Sequence, residues 1–131
     1  GPSPSTLQEK QMSSLMKANF ADSQDVRTPD KTRMAVVELN GQMASQLRLQ
    51  PGWKWSECIK PLAGTESCQK SHVGFIQQGQ LHVISDDGSE LDVKAGDFYV
   101  FGPGHDGWVV GNEEVIAYEF ESSTAANYAR G

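Results

Sequence analysis

The chain has 131 residues, with 11 basic and 17 acidic side chains and a formal net charge of −6. That length is one domain, and the acidic balance excludes the basic face that nucleic-acid binding needs. No apolar run approaches the roughly 20 residues of a membrane helix, and 37% hydrophobic with 21% charged residues is an ordinary globular composition.

Two cysteines, Cys58 and Cys68, do not make a disulfide-rich scaffold. Two reduced thiols in a cytoplasmic setting are the expectation, and the first ten residues lack the basic-then-apolar pattern of a signal peptide. Gly1-Pro2 reads as a remnant of tag removal, and residues 1–4 as a disordered start. Residues 5–19 read as a helix: Thr6 and Glu9 fit a capping box after Pro4, and Leu7, Met12, Leu15, Met16 and Phe20 fall on one stripe. The polar, turn-rich stretch to residue 32 reads as a connector.

From Arg33 the period changes to two. Residues 34–39 read as a strand closed by an Asn40-Gly41 turn, and Met43 to Leu49 as the next. Pro51-Gly52 breaks the chain. Trp53, Trp55 and Glu57 then alternate with Lys54, Ser56 and Cys58, which predicts a strand with both tryptophans and Glu57 on one face. Residues 60–67 read as a loop. The segments VGFIQQG, LHVIS, LDVK, FYVF, WVV and VIAYEF follow at short, even spacing, with turns at Gly79, Asp86–Gly88 and Gly96-Asp97. About ten short strands of this kind predict a sandwich or barrel over residues 33–121. Residues 122–131 read as a polar tail.

GFIQQG, LHV, the turn DDGSEL, KAGD and FYVFGPGH stand in the order of the two motifs of the cupins, and residues 52–120 resemble that family of small jelly-roll barrels. PGWKWSE and PGHDGWVVG resemble one subgroup of single-domain cupins. The resemblance implies an all-β, cupin-type jelly-roll barrel with one N-terminal α-helix, a small-molecule pocket in the barrel and a homodimer. Family members that bind metal carry a His-x-His pair, a Glu and a last His. Here Glu66 and Cys68 stand at the pair, His72 at the Glu and Gly107 at the last His, with His105 two residues earlier.

What remains is Cys68, His72 and His105, which period two can place on one face. Thiolate and imidazole suit a divalent transition metal, iron or zinc first. Hydrogen-bonded pocket histidines beside a small core cysteine are the alternative. His72, His105 and Glu57 are candidate acid–base residues, and Trp53, Trp55 and Trp108 candidate pocket walls. His82, between Leu81 and Val83, is expected to point outward. Asp106 is expected on the face opposite His105. Two functions stay open: a metal-dependent enzyme acting on a small organic metabolite (oxygenase, isomerase or lyase), and a non-catalytic ligand-binding or sensing module.

Overall fold

The computed structural model describes residues 14–122. Nine strands run in chain order: β1 Asp25–Arg27, β2 Thr32–Leu39, β3 Gln42–Leu49, β4 His72–Gln78, β5 Gln80–Ser85, β6 Glu90–Lys94, β7 Phe98–Phe101, β8 His105–Val109 and β9 Val115–Ser122. They form a six-stranded sheet, β1-β2-β3-β9-β4-β7, and a three-stranded sheet, β6-β5-β8. Every strand pairing is antiparallel. The last strand lies between β3 and β4, so the connections cross from sheet to sheet, as a jelly roll requires.

Both sheets supply the core. Leu49, Ile76, Tyr99, Val115 and Ala117 come from the large sheet and meet Leu81, Val83, Val93 and Val109 from the small one. Alternation explains this: on β5 Leu81 and Val83 are buried while His82 between them is not. Turn chemistry fixes the register. Asn40 and Gly41 both have positive φ, 51° and 80°, and close a two-residue hairpin with Leu39 opposite Gln42. Between Ile76 and Gln78 the β4–β9 register shifts by one residue. Gly79 ends that bulge at φ 83°, where a Cβ would come within 2.9 Å of the Glu114 carbonyl oxygen. Any side chain there would force β4 away from β9.

Three expectations change. The helix over 5–19 falls largely outside the described residues. Residues 14–19 are irregular, and the first regular turn is a 3-10 turn at Phe20–Asp22. Asp25–Arg27, read as connector, is an edge strand on β2. The segment holding Trp53, Trp55 and Glu57 is not a strand. Trp55–Cys58 is a helical turn, followed by another at Lys60–Ala63 in the stretch read as loop. The period there is i, i+3, so Trp55 shares its buried face with Cys58 and not with Glu57. Asp106 accepts a hydrogen bond from the Ser56 backbone N–H at 3.1 Å and anchors the first of these turns to β8.

Candidate metal centre and its cavity

Cys68 lies just before β4 and pairs directly with His105 at the start of β8. The Cys68 N–H donates to the His105 carbonyl at 2.7 Å, and the His105 N–H to the Cys68 carbonyl at 3.2 Å. His72 opens β4 four residues later. Its Nε2 lies 3.4 Å from Cys68 Sγ, and the rings of His72 and His105 are 5.1 Å apart in an edge-to-face arrangement. The ligand atoms of all three residues lie within 4.8 Å of one another. The trio read from the sequence is thus brought together by one strand start, one bridge and the inward parity of β8, where His105, Gly107 and Val109 are buried and Asp106 and Trp108 are not.

Hydrogen bonds fix both imidazoles. Nδ1 of His105 is 2.8 Å from the Gly102 carbonyl oxygen. Nδ1 of His72 is 2.7 Å from Glu119 Oε1, and Glu119 Oε2 accepts from the Tyr99 hydroxyl at 2.7 Å. A carbonyl or a carboxylate only accepts, so both Nδ1 atoms carry a proton and Nε2 is the nitrogen a metal would take, giving up any proton it holds. That is the outer-shell pattern of metal-bound histidines. A tetrahedral ion with ordinary Zn–S and Zn–N bonds holds its ligand atoms roughly 3.3–3.6 Å apart. The 3.4 Å between Cys68 Sγ and His72 Nε2 matches this, and the 4.8 Å bound on the trio would have to shorten by about 1 Å on binding. Cys68, His72 and His105 therefore suit a borderline divalent ion and leave one position open.

The electrostatics follow from the same contacts. Burial pushes the Cys68 thiol up, but hydrogen bonding to His105 and His72, the Lys70 backbone N–H and the charge of His72 bring it down to about 6. Burial pulls His72 down, and its bonds to Cys68 and Glu119 together with their charges raise it to about 9. Burial pushes Glu119 up, yet the bonds from His72 and Tyr99 hold it below its ordinary value. The Tyr99 phenol is pushed far up by burial and by the Glu119 charge.

The trio borders a cavity of about 550 Å³ whose wall is mostly apolar, with Leu47, Leu49, Trp53, Trp55 and Phe101 among its lining residues. That size takes a small organic molecule. Trp53 Nε1 is buried and has no hydrogen-bond partner among the described residues. Such an N–H costs about 1–3 kcal/mol.

Two predicted site residues lie elsewhere. Trp108 does not line the cavity: it follows Gly107 by one residue, faces out, and packs on His82 at 4.8 Å with Lys54 Nζ 5.2 Å above its ring. Glu57 does not line it either, because the helical turn carries it away from Trp55. Lys70 lines the cavity and pairs with Glu121 at 3.6 Å, while Lys60 pairs with Glu66 at 2.9 Å. Cys58 and Cys68 are both free thiols. Glu119 and Tyr99 join the cluster through His72 and were not read from the sequence. The signal was present: Glu119 shares parity with the buried Val115 and Ala117, and a carboxylate on the inner face of a barrel strand needs a partner.

No family model and no curated protein matches the sequence. Solved structures do match. A Rhizobium leguminosarum protein of unknown function is 18% identical, with 82% of this chain and 96% of that one covered and a TM-score of 0.60. The cupin domain of Cnp3 from Schizosaccharomyces pombe is 15% identical over 88% of this chain and 80% of that one, with a TM-score of 0.55. A variant of Bacillus subtilis oxalate decarboxylase is 18% identical over 86% of this chain and 31% of that longer one, with a TM-score of 0.61. The chain has the cupin fold, and its chemistry has to be argued from its own residues.

Proposed function

We propose that this cupin holds a divalent transition metal, zinc or iron, on Cys68, His72 and His105, and that it is an enzyme acting on a small organic metabolite in the adjoining cavity. The observation that carries the reading is the convergence of one thiol and two imidazoles, with both Nδ1 atoms already committed to acceptors. A bound ion would supply Lewis acidity at the cavity wall. The chain's own part is to hold the ligand atoms, to exclude water with Trp53, Trp55 and Phe101, and to place His72 and His105 beside the substrate. The reaction class is not fixed by these residues.

The test is elemental analysis by plasma mass spectrometry of protein purified without chelator, alongside Cys68→Ala and His72→Ala. Near-stoichiometric metal in the parent, lost in both variants, is expected. Metal far below stoichiometry that zinc or ferrous iron does not restore sinks the reading. The second reading, a ligand-binding or sensing module, rests on the hydrogen bonds that satisfy Cys68, His72 and Glu119 within the chain itself. In that case His72→Ala changes ligand affinity with no turnover to lose.

A homodimer belongs to the same proposal. Val73 faces Val100 and Phe75 faces Phe98 across β4 and β7, and all four are exposed beside Phe120. Because β7 ends the six-stranded sheet, a second copy would cover both an apolar face and an open edge. A monomer by light scattering at micromolar concentration would exclude it. A cytoplasmic site of action is likewise proposed. Among the described residues no helix is long and apolar enough to cross a membrane.

A further inference from the structure

We infer that Glu119 is the positioning residue of the metal centre: held by Tyr99 and given room by Gly74, it turns His72 so that Nε2 points at Cys68. The inference rests on the metal reading above and adds residues outside the ligand trio.

Three adjacent strands build the device. Gly74 on β4 is the register partner of Tyr99 on β7 and of Glu119 on β9, so the three residues form one row across the sheet. A Cβ at Gly74 would collide with the Tyr118 carbonyl oxygen and lie 2.9 Å from Glu119 Cγ. The missing side chain lets the Glu119 carboxylate lie over β4 between its two donors. One oxygen takes the Tyr99 hydroxyl and the other the His72 Nδ1 proton, each at 2.7 Å. Two short bonds, one on each oxygen, leave the carboxylate little freedom, and the imidazole inherits that constraint. His105 needs no such device, because the backbone carbonyl of Gly102 does the same task three residues away.

Zinc affinity, read by competition with a chromogenic chelator, is compared in the parent, Glu119→Leu, Glu119→Gln and Tyr99→Phe proteins. The downfield Nδ1–H proton of His72 is followed by proton NMR in the metal-free chain. In Glu119→Leu the affinity is expected to fall about 10–100-fold and the Nδ1–H signal to vanish. Glu119→Gln, which keeps one acceptor, falls less, and Tyr99→Phe by a few-fold. Adding Tyr99→Phe to Glu119→Leu changes nothing more, because Tyr99 acts through the carboxylate. A merely structural role would lower the melting temperature of each variant while leaving zinc affinity and the NMR signal in place, and that result overturns the inference. So does a folded parent without the protected Nδ1–H. Both results leave the metal reading standing. A parent protein that binds neither zinc nor ferrous iron removes the metal reading and this inference with it.

Discussion

His72 and His82 stand ten residues apart on consecutive strands that belong to different sheets, and each has a ring nitrogen within 3 Å of a carboxylate oxygen. Their surroundings set them apart. His72 faces the cavity between a buried thiol and a half-buried carboxylate that is itself fixed by Tyr99. His82 sits on the outer side of the small sheet against Trp108, with Asp92 and Glu90 as partners, and both carboxylates are about half exposed. Charges on the outer face are screened by water and salt and contribute little. On the inner face the same kinds of contact ionise a thiol and hold an imidazole in one orientation. A histidine beside an acid is therefore not a site until its side of the sheet is known.

The largest expected effect separates the two directly. His72→Ala and Cys68→Ala abolish stoichiometric metal binding, while His82→Ala leaves it unchanged. Metal lost in His82→Ala as well would erase the distinction between inner and outer clusters.

The tryptophans sharpen it on the scale of stability. Trp53 is 9% exposed and belongs to the core, so Trp53→Ala is expected to cost about 3–5 kcal/mol. Trp108 packs on His82 and Lys54 on the outer face, and its loss should cost about 1 kcal/mol. Urea titration of both variants measures the pair, and equal losses would show that the outer face is a second core.

The thiols give a third contrast, in the metal-free chain. With its acidity brought to about 6, Cys68 is mostly thiolate at neutral pH. Its alkylation by iodoacetamide should rise through about pH 6 and level off above it. His72→Ala removes a hydrogen bond and a positive charge, so the midpoint moves up toward the ordinary thiol value, and the rate at pH 7 falls about tenfold or more. His82→Ala leaves the profile in place. A profile that does not move in His72→Ala would show that His72 does not ionise the thiol.

How much of this was legible depends on which physical rule each segment obeys. Period two identified the strands around Leu81, Val93 and Val109, and the Asn40-Gly41 and Gly96-Asp97 turns. The same parity put Cys68 beside His72 and kept His82 and Asp106 apart from them. Trp108 was assigned to the pocket against that rule, since it differs in parity from the inward His105 and Gly107. Trp55 to Cys58 misled for another reason. Four residues of alternating polarity satisfy a strand and one helical turn alike, and the deciding contact, Asp106 under the Ser56 N–H, comes from 50 residues away. Glu119 was hidden because its partners His72 and Tyr99 lie on two other strands, and local spacing does not report which strands become neighbours.

The smallest effect concerns that carboxylate and its pH dependence. Glu119 is more acidic in the folded chain than its ordinary value, because its bonds from His72 and Tyr99 outweigh burial. A group with a lowered folded pKa stabilises fully above its unfolded value and loses that contribution as pH falls through the folded one. The parent should therefore exceed Glu119→Gln in stability at neutral pH, and the gap should close as pH drops below the usual carboxylate range, where a protonated Glu119 resembles glutamine. Asp92, half exposed beside His82, should show a smaller gap in Asp92→Asn at neutral pH. Melting temperatures across an acid series measure both. A Glu119→Gln gap that widens on acidification would reverse the sign and show that burial, not hydrogen bonding, governs the inner carboxylate.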